Sequence, residues 1–433
     1  MRRFILFIFL WCTSWALIAQ AKNFIQVEEA QLYKNNQPYY FIGANFWQAV
    51  HLAMQDKEQL KRELDHLQGL GVNNLRIMLG FEGPVDAPWR VQPALQNEPK
   101  KYNEDFFEAI DYLLVELSER QMTAVLVLTN FFQWSGGMAQ YVAWAEQKEI
   151  PYPHEEAHTW DDFQRFSAQF YANKKANRYY RKFIRTLIKR KNSLTNIRYK
   201  DDPTIMAWQL ANEPRGFGEK EAYIKWVNKT AKYIQRKDKN HLVSLGGEGK
   251  TPSNYAGTHF EEVSQSPYLD YLTVHIWVEN WSWYLPKEPE TFQPALEKAL
   301  TYLNDHIQIA AHLDKPIVLE EFGLSRDAGS YDPQSKTQLR DQYYNAFFEQ
   351  IHEQAKQRSV LMGCNLWSWS GEEQPPTPGH FWKKGDPLIG DPPHELQGWY
   401  SVYSKDESTL KLIKKYNSVL KELQTTPLGI SSN

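Results

Sequence analysis

Short apolar or β-branched runs alternate along the chain with longer stretches in which apolar positions recur every three or four residues. This alternation predicts βα units around a parallel sheet. Runs at 39–46, 73–79, 123–130, 204–213, 241–247, 271–277, 316–322 and 360–369 read as strands, and eight is the number that closes a barrel. Between them, Phe292, Leu296, Leu300, Leu303, Ile307 and Ala310 share one helical face, as do Leu339, Tyr343, Phe347 and Ile351. Lys, Glu and Gln occupy the opposite faces, so the stripes are expected to face a core. Only a short, irregular helical candidate lies in 250–270. The expected fold class is α/β, a single (β/α)₈ TIM barrel.

Two connections are unusually long, 131–172 after the third strand and 371–407 after the eighth. Neither shows a periodicity of its own, and both follow strands, which puts them on the catalytic face of a barrel as long ordered loops. Trp134, Trp144 and Trp160 in one, and Trp382, Trp399 and Tyr400 in the other, make them candidate cleft walls. No repeat, heptad run or long linker marks a second domain.

The N-terminus changes the picture. Arg2 and Arg3 precede an apolar run from Phe4 to about Ile18, and Ala19-Gln20-Ala21 follows. That order predicts a secretory signal peptide over 1–21 and a catalytic domain over 22–433, secreted or periplasmic. The run is shorter than the roughly 20 residues a spanning helix needs, so no stable membrane insertion is expected after cleavage. Loss of the segment leaves Cys364 alone. Stability after export must then come from a large core rather than a disulfide. The formal charge of −3 becomes more negative once the two arginines leave, and this balance suggests neither nucleic acid nor an anionic surface as partner.

Candidate chemistry sits at two strand ends. Trp208-Gln209-Leu210-Ala211-Asn212-Glu213-Pro214-Arg215 delivers an Asn-Glu pair, and Pro316-Ile317-Val318-Leu319-Glu320-Glu321-Phe322-Gly323 ends in carboxylates. Side chains at barrel strand ends share one site, and two carboxylates there suffice to cleave a glycosidic bond. Glu213 is expected as acid/base and Glu321 as nucleophile. Glu320 competes for the second role, because alternation sends only one of the pair inward. His154-Glu155-Glu156-Ala157-His158 matches a zinc-protease signature. Pro151 and Pro153 precede it, however, and no helical stripe or third ligand accompanies it, so it reads as a loop coincidence and no metal or other cofactor is expected.

The ordered set of motifs resembles the β-mannanases of glycoside hydrolase family 5 over most of the mature chain. It comprises Phe41-Ile42-Gly43-Ala44-Asn45-Phe46-Trp47, Asn74-Leu75-Arg76, Asn130 with Gly136-Gly137-Met138-Ala139-Gln140-Tyr141-Val142, and Leu210 to Arg215. Val274-His275-Ile276-Trp277, Glu320 to Gly323, Asn365-Leu366-Trp367-Ser368-Trp369 and the run from Gly390 to Tyr403 complete it. The resemblance implies a retaining hydrolase of β-1,4-mannosidic bonds in mannan, glucomannan or galactomannan, with mannan or a manno-oligosaccharide as partner. It implies that Arg76 donates to Glu321, that Asn212 binds the sugar 2-hydroxyl, and that Trp367 forms a stacking floor, with Trp369 the rival. Arg215 would contact the aglycone side and His275 would hydrogen-bond within the site. Asn45, Trp47, Asn130 and Trp134 join the expected substrate-binding set. Trp277 stands where many family members carry Tyr beside the nucleophile, while Trp281, Trp283 and Tyr284 suit a cleft wall. An exo-acting β-mannosidase, a β-1,4-glucanase and an inactive polysaccharide-binding barrel are the alternatives.

Overall fold

The computed structural model describes residues 24–84, 90–153 and 155–425. The segment read as a signal peptide and His154 of the zinc-like motif lie outside the described residues.

Eight parallel strands form the centre: β1 (Phe41–Asn45), β2 (Asn74–Met78), β3 (Thr123–Val127), β4 (Ile205–Gln209), β5 (Leu242–Ser244), β6 (Leu272–Ile276), β7 (Ile317–Phe322) and β8 (Leu361–Leu366). Each is buried along its whole length. Burial on both faces is why the strands read as continuous apolar runs rather than alternating ones. Pairing runs in order from β5 back through β1 to β8, β7 and β6. The seam between β5 and β6 closes by looser bonds: Asp270 N donates to Val243 O (2.8 Å) and His275 N to Glu248 O (3.1 Å), and the Thr273 hydroxyl to Gly247 O (2.8 Å).

The helices form the outer ring: α1 (Ala49–Gln55), α2 (Lys57–Gly69), α3 (Glu104–Glu119), α4 (Gly137–Glu146), α5 (Trp160–Ala168), α6 (Lys174–Lys189), α7 (Lys220–Lys237), α8 (Phe260–Ser264), α9 (Phe292–His312), α10 (Gln338–Lys356) and α11 (Glu407–Thr425). Their starts are written in the sequence. Asp56, Asn103 and Asn173 each accept backbone N–H bonds at the N-caps of α2, α3 and α6, removing donors that would otherwise be orphaned. After β5 there is only the five-residue α8, as the irregular pattern of 250–270 leads one to expect. The last helix locks the first strand, since the Asn417 side chain accepts from Ile42 N and donates to Ile42 O, both at 3.0 Å. An N-terminal three-stranded meander (residues 26–38) lies at the end of the barrel where the strands begin.

One expectation is corrected. The 131–172 connection is not a long loop, for it holds α4 and α5. Helix α4 shows no stripe because Gly137 to Val142 are all buried, and a helix covered on every side has no polar face to reveal its period. Helix α5 is short but carries a capping box between Thr159 and Asp162, a local signal that precedes its apolar positions. By contrast, 371–407 is largely irregular. It is held by Asp391, whose carboxylate accepts from Gly398 N (2.9 Å), Tyr400 N (2.7 Å) and the Ser401 hydroxyl (2.6 Å).

Candidate active site

The chain from β4 turns sharply at its end. Glu213 has a φ of 47°, the left-handed region that costs a non-glycine residue about 1–2 kcal/mol. Two backbone bonds hold it there, Asn212 N to Thr129 O and Glu213 N to Gly246 O, both 2.8 Å. The turn lifts the Glu213 carboxyl toward the barrel axis.

Strand β7 brings up the second acid through a register irregularity. Val274 pairs with Leu319, but His275 pairs with Glu321, so Glu320 has no partner on β6. Such a bulge suspends the strict alternation of faces. The expectation that only one of the two glutamates points inward is therefore wrong: both are buried inside the barrel. Glu320 lies deeper, accepting from Gln209 Nε2 (2.7 Å) and the Tyr271 hydroxyl (3.2 Å). Glu321 reaches the cleft.

Arg76, on β2, gathers these groups. Its Nη1 donates to Glu321 Oε1 (2.5 Å) and Asn45 Oδ1 (3.1 Å), its Nη2 to Asn212 Oδ1 (2.8 Å), and its Nε to Gln209 Oε1 (2.8 Å). The Asn212 amide in turn donates to Asn130 (3.2 Å). On β6, His275 Nδ1 sits 2.8 Å from Glu213 Oε1 and 3.4 Å from Glu321 Oε2. One oxygen of each glutamate and a ring nitrogen of His275 lie within 4.8 Å of one another. These donor types alone would suit a cation, but the Arg76 guanidinium already neutralises Glu321, and displacement by two carboxylates needs no metal.

Burial pushes both carboxyl pKa values up, and for Glu321 the neighbouring Glu213 adds to the rise. Two acids this close do not ionise together. Arg76 opposes the rise on both, and only Glu321 touches it. Arg215 and the Trp277 indole N–H also work against the rise at Glu213. Trp277 thus serves the β4 acid rather than the β7 acid. His275 is held well below its usual pKa by burial and by Arg76, and stays a neutral hydrogen-bonding group at neutral pH.

Above the acids lies a cleft of about 410 Å³. Of the residues expected from sequence, Trp134, Asn212, Glu213, Arg215, Trp277, Glu321 and Trp367 line it. Asn45, Trp47, Arg76, Asn130 and His275 stand behind that surface. Trp47 is fully enclosed, its indole donating to Gly390 O (2.7 Å) and its ring packed edge-on against Trp134. Trp367, not Trp369, faces the cleft; Trp369 is buried and donates to Glu63 (2.8 Å). Trp160, Trp281 and Trp399 are wall residues as their loops suggested. Trp144, Trp283, Tyr284, Trp382 and Tyr400 pack or brace behind the wall, Tyr400 lying against Trp277 at 5.0 Å.

Phe132, Gln164, Glu248, Asn280, His394 and Glu395 also line the cleft and escaped the sequence reading. Glu248 follows β5 within Gly246-Gly247-Glu248-Gly249 and forms a two-pronged ion pair with Arg215, both contacts 2.7 Å. An acid at a strand end was a legible signal there. Glu395 and His394 lie in the irregular 371–407 segment, inside the run from Gly390 to Tyr403, where no periodicity singles them out. The Glu395 carboxyl pKa is raised well above the usual range by burial and by repulsion from Asp391 and Glu213.

A family model described as glycoside hydrolase family 5, β-mannosidase-like, matches residues 22–425. The chain belongs to this family and is a glycoside hydrolase. It is 31% identical to mannan endo-1,4-β-mannosidase 7 of Arabidopsis thaliana over 80% of this chain and 77% of that protein. The structure of a family 5 mannosidase from Rhizomucor miehei superposes with a TM-score of 0.86 at 38% identity, covering 93% of this chain and 99% of that one. A glutamate-to-alanine mutant of that mannosidase, in complex with mannosyl-fructose, superposes with a TM-score of 0.84 at 37% identity and the same coverage.

Proposed function

We propose that this enzyme hydrolyses β-1,4-mannosidic linkages with retention of anomeric configuration, Glu321 acting as nucleophile and Glu213 as acid/base. The observation that carries the reading is the spacing of the two acids, with an oxygen of each inside 4.8 Å. Retaining enzymes place their carboxyl groups about 5–5.5 Å apart, whereas inverting ones leave about 6.5–9.5 Å for a water.

In the first step Glu213 gives its proton to the glycosidic oxygen while Glu321 attacks the anomeric carbon, forming a glycosyl-enzyme. In the second step Glu213, now ionised, takes a proton from water, and the water displaces Glu321. Arg76 keeps Glu321 charged and Asn212 offers its amide to the 2-hydroxyl. Trp367 supplies an apolar floor for a pyranose face. Mannan specificity is supported by the curated relatives, which are named mannan endo-1,4-β-mannosidases. The polysaccharide substrate and the charged, apolar and small-residue order of 1–21 support release outside the cytoplasm, with 22–433 as the mature catalytic domain. Among the described residues no helix is long and apolar enough to cross a membrane.

An exo-acting reading remains the alternative: His394 and Glu395 line the cleft, and the R. miehei relative is named a mannosidase. One experiment addresses both readings. Mannan and mannohexaose are incubated with the wild-type, Glu213→Ala and Glu321→Ala proteins, and new reducing ends and product sizes are followed. A ladder of oligomers indicates internal cleavage, and mannose alone indicates exo action. Undiminished turnover in either alanine variant would show that the wrong acids have been named.

A further inference from the structure

The whole-chain charge conceals a strong local asymmetry. Between Lys174 and Lys200 the chain carries eleven Lys or Arg and no Asp or Glu. Helix α6 buries its apolar side, from Ala176 through Ile188, against the barrel and turns its cations outward. Arg185, Ile188, Lys189, Arg198, Lys200 and Lys237 line a hollow of about 420 Å³ at its C-terminal end. Lys200 lies 3.7 Å from Asp201; among the described residues, no ion pair joins Arg185, Lys189, Arg198 or Lys237. Lys189 and Lys237 fall in the last turns of α6 and α7, where they also offset the helix dipoles. That role does not account for Arg185 or Arg198.

A second observation sits beside the hollow. The 191–198 hairpin presents Leu194 and Ile197 at its tip, 60% and 42% exposed, flanked by Lys191 and Arg198. The tip is preformed. Buried Asn192 accepts from Leu194 N (2.9 Å) and Thr195 N (3.1 Å), donates its side-chain amide to Asp111 O (2.9 Å), and pairs backbone N–H to Ile197 O (2.8 Å). Two exposed aliphatic side chains beside a cluster of cations match an anionic bilayer, which takes the aliphatics into its headgroup boundary and the cations onto its surface. A soluble polyanion would use the cations and leave the aliphatics without a role.

We propose that this face docks the enzyme peripherally on membranes containing anionic phospholipid. Its position fits. The hairpin leads into β4 and Lys237 precedes β5, so the face lies where the strands begin, at the opposite end from the acids. Docking there turns the sugar cleft away from the lipid.

The test uses the chain from Lys22, which retains the entire barrel, with sedimentable vesicles of phosphatidylcholine alone or with about one-third phosphatidylglycerol. We expect binding to the anionic vesicles only, weakening as salt rises. Each basic residue at such a surface is worth about fivefold. The combined Arg185→Glu, Lys189→Glu and Arg198→Glu variant is therefore expected to bind more than tenfold more weakly. Leu194→Ser with Ile197→Ser should also cost at least about tenfold, given the transfer energy of two aliphatic side chains. Both variants should hydrolyse soluble manno-oligosaccharide at the wild-type rate, which reports an intact fold. Absence of binding, equal binding to both vesicles, or binding indifferent to Leu194 and Ile197 would overturn the proposal. Preference for soluble polygalacturonate over the anionic vesicles would overturn it too, and would assign the face to an acidic polysaccharide.

Discussion

Arg76 Nη1 lies 2.5 Å from Glu321 Oε1, and the same guanidinium places Nε 3.5 Å from Glu320 Oε2. One planar cation thus contacts two adjacent buried acids, a geometry that the bulge at Glu320 makes possible. A lysine ammonium is a point charge and cannot span both together with Asn45, Gln209 and Asn212. Arg76→Lys is expected to lower kcat by about a hundredfold or more through misplacement of the nucleophile. It should also destabilise the fold, because buried acceptors on Asn45, Gln209 and Asn212 lose a donor, at about 1–3 kcal/mol for each one left unpaired. Part of the lost activity should return as pH rises, because Glu321 then needs alkali to ionise. A pH–rate profile beside thermal unfolding checks both points.

Glu82 offers a stability test with a defined sign. It is fully buried, accepts from the Thr129 hydroxyl and Gly137 N (both 3.0 Å), and burial pushes its pKa up to about 7. The folded state therefore holds this proton more tightly than the unfolded chain does. The group's stabilising contribution is complete below the unfolded carboxyl value near 4.5 and is lost as pH rises to about 7. The loss amounts to about 3 kcal/mol. Glu82→Gln keeps the Gly137 N–H contact through its carbonyl oxygen and gives its amide N–H to the Thr129 hydroxyl, without a titrating proton. It is expected to flatten the decline in Tm between pH 5 and pH 8 and to exceed wild type at the upper end.

Arg215 is 22% exposed and its partner Glu248 only 2%. Arg215→Ala strands a buried carboxylate and is expected to cost about 3–5 kcal/mol. Adding Glu248→Gln should restore most of that, because the amide carries no charge. A double-mutant cycle on thermal stability reads the coupling, and a raised KM in both variants would reflect the loss of a cleft-lining guanidinium.

Asp391 accepts from three donors in the segment that carries Glu395 and Trp399. Asp391→Ala leaves those donors orphaned at about 1–3 kcal/mol each when buried. The expected outcome is faster hydrogen exchange across 390–403 and a KM several-fold higher, with the β-strand amides unaffected.

The barrel strands are legible in the sequence because burial on both faces makes each a compact apolar run between polar helices. Their ends are less so: 204–213 overruns the regular strand at Gln209, where the chain starts toward the turn at Glu213. The two acids are legible because they cap such runs, and Glu248 obeys the same rule. The inward turn of both Glu320 and Glu321 is not, since a bulge depends on the register of a neighbouring strand far away in the chain, His275 pairing with Glu321. Nor is Glu395 legible, because its segment takes its shape from Asp391 rather than from any period. Helix α4 is hidden by its own burial, while α5 announces itself at Thr159 and Asp162.

The left-handed backbone at Glu213 sets durability against turnover. Glycine adopts that conformation without steric penalty, so Glu213→Gly would relieve the strain and also remove a buried acid from beside another. The inactive protein should melt at a higher temperature than the working one. Under the proposed mechanism, the acid at 213 is retained for proton transfer at the expense of backbone comfort.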